Sequence, residues 1–239
     1  MKLILTGGGV DENAIDAFSM FAKLTKNGKI LYIPLADDEM GLEENFAWFK
    51  GQMKPYNFSK IEIVKDASEI TLEKINSADG IFIGGGNAFQ LLYLLKSCKA
   101  FENIKKAIKN DKPVLGLSAG TTIFGKDINS CLYDDLKIIA NDKNKIGLTN
   151  TKGYNLIENC SFFVHYKLKD YQFEATEQKV NRILNLGCNV ICLPEETNLF
   201  VTENEITVFG KKPAEFVTPN YREIVKPNEK IAFDLNINL

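Results

Sequence analysis

The chain has 239 residues, 45% hydrophobic and 25% charged, with a formal net charge of -2. This composition and length support a sizeable core, and one domain over residues 1–239 is the expectation; the near-neutral charge gives no electrostatic case for a nucleic acid or an anionic membrane as partner. No apolar stretch approaches the ~20 residues that span a bilayer, and the five scattered cysteines (Cys98, Cys131, Cys160, Cys188, Cys192) lack metal-ligand spacing. Reduced thiols, no metal, no cofactor and a cytoplasmic location are the expectation.

Read in order, short apolar runs alternate with amphipathic stretches. Leu3–Thr6 reads as the first strand and ends on Gly7-Gly8-Gly9, a turn at a site rim or a plain loop. Asp11 is placed to cap a helix carrying Ile15, Phe18, Ala22 and Leu24. Lys29–Leu35 and Lys60–Val64 follow as strands. Gly80–Gly84 is a fourth, leading into Gly84-Gly85-Gly86-Asn87, where Asn87 suits the cap of a helix bearing Phe89, Leu91, Leu92 and Leu95. Phe101, Ile104 and Ile108, three and four apart, mark another helix. Continuous apolar strands separated by helices predict a doubly wound, mostly parallel sheet, with ligands beyond the carboxyl ends of the strands.

The fifth strand, Pro113–Leu117, carries the strongest signal. It runs into Gly116-Leu117-Ser118-Ala119-Gly120, the layout of a nucleophile elbow, in which a strand turns sharply into a helix and lifts a hydroxyl above the sheet edge. The Gly84–Gly86 cluster ends a strand too, so N–H groups of Gly85 or Gly86 and of Ala119 are candidate donors for an oxyanion hole. Neither glycine cluster has the Gly-x-Gly-x-x-Gly spacing of a dinucleotide site. A serine nucleophile needs a base, and His165, after Ser161-Phe162-Phe163-Val164, is the chain's one histidine. Glu195 and Glu196 follow the strand Val190–Leu193, and either is placed to orient the imidazole. The order Ser118, His165, Glu195 is not that of the α/β-hydrolases. Further on, Asn198–Thr202 and Ile206–Phe209 read as a hairpin, and Glu215–Val217 and Lys230–Phe233 as edge strands of a small C-terminal β extension.

Taken together, Gly84-Gly85-Gly86-Asn87-Ala88-Phe89-Gln90-Leu91-Leu92, the Ser118 elbow, His165-Tyr166 and Leu193-Pro194-Glu195 resemble the serine peptidases that include peptidase E (aspartyl dipeptidase) and cyanophycinase. The resemblance runs from about Leu3 to Phe209. It implies a fold similar to class I glutamine amidotransferases and a triad of Ser118, His165 and Glu195. It also implies hydrolysis of short peptides through an acyl-enzyme. Asp134 or Asp135 matches an aspartate that this family carries after the serine. Two alternatives stay open: a cyanophycinase-like hydrolase, and a catalytically silent binding protein on the same scaffold. The chain departs from the family in one respect. Thr176 stands where peptidase E has an arginine suited to an aspartyl side chain, and Lys167 and Lys169 stand near the arginines of cyanophycinases. With Asn87, these are the candidate substrate-binding residues, and a weaker preference for N-terminal aspartate is expected. The partner expected is a small peptide; the oligomeric state is left open.

Overall fold

The computed structural model describes residues 1–37, 39–132, 142–166, 173–231 and 236–238. Five short strands form a parallel core: β1 (Leu3–Thr6), β2 (Lys29–Ile33), β3 (Lys60–Ile63), β4 (Gly80–Ile83) and β5 (Val114–Leu117). Two more, β8 (Thr197–Val201) and β9 (Ile206–Gly210), add antiparallel strands, giving the order β3-β2-β4-β5-β1-β8-β9. The helices between them are α1 (Ile15–Leu24), α2 (Leu42–Met53), α3 (Leu72–Asn76), α4 (Ala88–Lys96), α5 (Ala100–Lys109) and the short α6 (Ala119–Thr122).

Alternation along each strand sends side chains to both faces, and both faces are buried along β1, β4, β5 and most of β2, while the edge strand β3 is partly exposed. Ile4, Ile30, Tyr32, Phe82 and Leu115 pack on one side with Phe18 and Phe21 of α1 and Phe49 and Met53 of α2. Leu3, Leu5, Leu31, Ile33, Ile81 and Ile83 pack on the other with Ile75, Leu91, Leu92, Ile104 and Ile108 of the remaining helices. This two-sided burial is why the strands read as unbroken apolar runs. The expected doubly wound, mostly parallel α/β sheet is the fold observed.

A second sheet, of order β11-β10-β7-β6, is built from β6 (Cys160–Val164), β7 (Asn189–Leu193), β10 (Ala214–Thr218) and β11 (Tyr221–Val225). Its strands β6 and β7 are parallel, and the other pairs are antiparallel. One face, with Phe162, Val164, Ile191, Leu193 and Phe216, joins the central core. The other, with Phe163, Val190, Cys192 and Val217, is covered by Val180 and Ile183 of α7 (Phe173–Asn185). The C-terminal β segment therefore serves two sheets. The anticipated hairpin is present as β8–β9 but completes the central sheet, while β10 and β11 extend the second. Lys230 makes only an isolated bridge to Thr207, and residues 232–235 lie outside those described. Asp11 does not cap α1: it begins a single 3-10 turn, and its carboxylate accepts from Gln52 of α2 at 2.7 Å. Asn87 does cap α4, its Oδ1 accepting from the N–H groups of Phe89 and Gln90 at 3.0 and 3.1 Å.

Candidate active site

Five chain segments meet at the carboxyl ends of β1, β4, β5, β6 and β7. Ser118 follows β5 directly with φ 52° and ψ -107°, a conformation a non-glycine residue holds only when its surroundings impose it. Three contacts impose it here. The N–H groups of Thr121 and Thr122 return to the Ser118 carbonyl at 2.8 and 2.9 Å. The buried Thr121 hydroxyl accepts from the Thr6 N–H at 2.9 Å and lies 2.8 Å from the carbonyls of Thr6 and Gly116, tying the elbow to β1. Gly116 and Gly120 lie so close that a Cβ on Gly116 would stand 2.4 Å from the Gly120 carbonyl oxygen. The serine is thus held up by a turn that bulkier neighbours would not fit.

His165 directly follows β6 and also has positive φ, 54°. Its N–H donates to the Gly7 carbonyl at 2.7 Å, and the next N–H, of Tyr166, donates to Leu193 at 3.1 Å. The second sheet is thereby stitched to the first at the imidazole. The Ser118 hydroxyl and His165 Nε2 are 2.8 Å apart; His165 Nδ1 and Glu195 Oε1 are also 2.8 Å apart. The other carboxylate oxygen of Glu195 accepts from the Asn13 side-chain amide at 3.1 Å. The hydrogen bond from His165 is the main cause holding the Glu195 carboxyl below the usual carboxylate range, against the opposing effect of partial burial. Glu196 turns away: its carboxylate pairs with Lys211 at 3.0 Å and Lys212 at 2.9 Å. Of the two acids that the sequence left open, Glu195 is the one that reaches the imidazole.

The Gly7–Gly9 run, which read as a rim turn or plain loop, forms the seat of this chain of bonds. Gly8 has φ 111°, and a Cβ there would stand 2.2 Å from His165 Cε1. Gly8→Ala is accordingly expected to push the ring off the serine and lower turnover by about 100-fold, the cost of a misplacement of about 1 Å. Steady-state kinetics on the folded variant, checked by circular dichroism, tests this.

Gly85 packs on the serine as well: its Cβ would lie 3.3 Å from that of Ser118. Ala119 follows the serine as the first residue of α6. Gly86 leans the other way, where a Cβ would stand 2.3 Å from the Ala36 carbonyl oxygen. Asn87 is occupied as a cap and donates its amide to the Lys143 carbonyl at 2.9 Å. Thr176 is buried on α7. Lys167, Lys169, Asp134 and Asp135 lie outside the described residues. The cysteines stand apart from this chemistry; burial pushes the Cys160 thiol up to about 12.

Beside Ser118, His165 and Gly85 opens a cavity of about 260 Å³ whose far wall holds Tyr32, Asp37, Asn45 and Trp48. The Tyr32 hydroxyl donates to Asn45 at 2.6 Å, and the Asn45 amide donates to Asp37 at 2.8 Å. Burial first, and the charge of Asp37 second, raise the Tyr32 phenol above its ordinary range, so it stays a donor. Neither this wall nor Asn13 was evident from the sequence. Each is an ordinary polar residue or aromatic in its own segment, and only the fold brings them to the serine.

A doubly wound sheet with an elbow serine, an imidazole and a carboxylate in hydrogen-bonded series defines a protein of the serine-peptidase class. The sequence profile of Peptidase family S51 matches residues 3–209, and the chain belongs to that family. It is 28% identical over 162 residues to a peptidase E of Nostoc sp. (strain PCC 7120), an alignment covering 66% of this chain and 61% of that protein. It is 26% identical over 208 residues to a peptidase E of Shewanella denitrificans, covering 84% and 82%. The chain thus spans about three fifths of the length of the Nostoc relative. A peptidase from an acI-B1 Actinobacterium has the same fold, with a TM-score of 0.73 at 18% identity over 97% of this chain and 96% of that one. A Listeria monocytogenes EGD-e protein gives 0.66 at 22% identity, covering 87% and 98%. Among the described residues, no helix is long and apolar enough to cross a membrane.

Proposed function

We propose that this chain hydrolyses short peptides as a dipeptidase-like serine peptidase, with Ser118 as nucleophile, His165 as base and Glu195 as the group that orients the base. The observation that carries this reading is the pair of 2.8 Å contacts linking Ser118, His165 and Glu195 in one line. As the Ser118 oxygen bonds to the scissile carbonyl carbon, its proton passes to His165 Nε2, and the carbonyl π pair becomes an oxyanion. Backbone N–H groups of Ala119 and of Gly85 or Gly86 receive that charge. The oxyanion collapses, the C–N bond breaks, and the leaving amine takes the proton from Nε2. Water, deprotonated by the same imidazole, then adds to the acyl carbon; the ester C–O bond to the serine breaks, and the Ser118 oxygen takes the proton back from Nε2. Throughout, Glu195 fixes the tautomer that leaves Nε2 free to accept and offsets the imidazolium charge, and Asn13 holds Glu195 in turn.

The two adjacent glutamates give a direct check on the third member. Glu195→Gln is expected to lower kcat by about 10⁴, the order of effect that loss of the carboxylate has in a known serine protease triad. Glu196→Gln releases only Lys211 and Lys212, which are exposed, and should change kcat by less than about threefold. The reverse ranking would move the role to Glu196. A screen of dipeptides with varied N-terminal residues against purified protein tests the substrate class; cleavage of none of them would reject the dipeptidase reading.

A further inference from the structure

We propose that the cavity beside Ser118 selects a cationic side chain, that of an arginyl or lysyl residue of the peptide, and that Asp37 is the specificity-determining residue. This deepens the proposed function and rests on Ser118 being the attacking group. Among the described residues, Asp37 carries the one carboxylate on the cavity wall, and no lysine or arginine lines it. The donors that hold the carboxylate are neutral: the Glu39 and Met40 N–H groups on Oδ1 at 3.1 and 3.0 Å, and the Asn45 amide on Oδ2 at 2.8 Å. They fix its position, and among the described residues none of its hydrogen-bond donors carries a charge. Asn45 is itself fixed by Tyr32, which stacks on Phe49 at 3.6 Å between ring centroids. The carboxylate, in the segment between β2 and α2, is thus tied through Asn45 to both elements.

The rest of the lining suits the stem of a long cation. Val10, Met40 and Leu117 offer apolar surface, and Trp48 offers a partly exposed indole face. An aliphatic stem lies along such walls while its head pairs with the carboxylate and the ring. An aspartyl side chain in the same cavity meets a like charge and is rejected.

Calorimetric titration of the Ser118→Ala protein with Arg-Leu, citrullyl-Leu, Ala-Leu and Asp-Leu separates this pocket from the chemistry. Citrulline keeps the shape of arginine and removes its charge. Arg-Leu should bind about 10- to 100-fold tighter than citrullyl-Leu, the usual worth of a charge-assisted pair, and Asp-Leu should bind weakest. In the double variant Ser118→Ala/Asp37→Asn, which keeps an acceptor for the Met40 N–H, the advantage of arginine should fall to within about threefold. Trp48→Leu on the same background should reduce it without abolishing it. Equal affinity for Arg-Leu and citrullyl-Leu, tighter binding of Asp-Leu, no binding of any of the four, or a preference unchanged by Asp37→Asn would each overturn the proposal. If Asp37→Asn weakens Ala-Leu as much as Arg-Leu, Asp37 holds the α-ammonium and the proposal also falls. Selective binding of Arg-Leu that the wild type never hydrolyses would leave the pocket standing and reject the peptidase reading instead.

Discussion

Replacing Ser118 by alanine is expected to lower peptide turnover by a factor on the order of 10⁶ while leaving the fold intact. The size follows from the proposed triad, since removal of a nucleophile costs about as much as removal of a whole triad. The fold should survive because the strain at this position resides in the backbone. Positive φ at residue 118 is imposed by returns from Thr121 and Thr122 and by the Thr121 bridge to β1, none of which uses the serine hydroxyl. Alanine loses only the contact with His165. Kinetics alongside thermal unfolding checks both halves: turnover within tenfold of wild type contradicts the assignment, whatever the stability.

His165→Gln should reduce turnover by a similar factor, and in the wild type the imidazole should set an acidic limb in kcat/KM. A protonated ring cannot accept the serine proton, so activity falls as pH falls. Glu195 is held below the usual carboxylate range, first by its bond to His165, so its carboxyl stays ionised in mild acid. Steady-state pH profiles of the wild type read this limb; a profile flat through the acid range contradicts it.

How much of this was written in the sequence differs from element to element. The elbow was legible because small residues and a hydroxyl at fixed offsets after an apolar run have few other uses, and Asn87 because a helix cap is a local interaction. His165 was legible by elimination. The second sheet was not: Val190–Leu193 is as fully buried as a central strand, and burial on two faces leaves no pattern to say which sheet a strand joins. Asp11 misled because an acidic residue just before an amphipathic run has the form of a cap, whereas here it turns to Gln52 on another helix. The Gly7–Gly9 run announced close approach without naming what approaches, which is an imidazole from 157 positions further along the chain than Gly8. Asp37, Asn45 and Trp48 gave no signal at all. Their joint position on one cavity wall depends on how α2 folds back over β2.

The most direct test of the nucleophile is its chemistry with a fluorophosphonate probe, read by peptide mass spectrometry. The wild type should carry one adduct, on Ser118, formed at a rate that falls by several orders of magnitude in His165→Gln. No adduct, an adduct on a different residue, or labelling of His165→Gln as fast as wild type would contradict a serine activated by this imidazole.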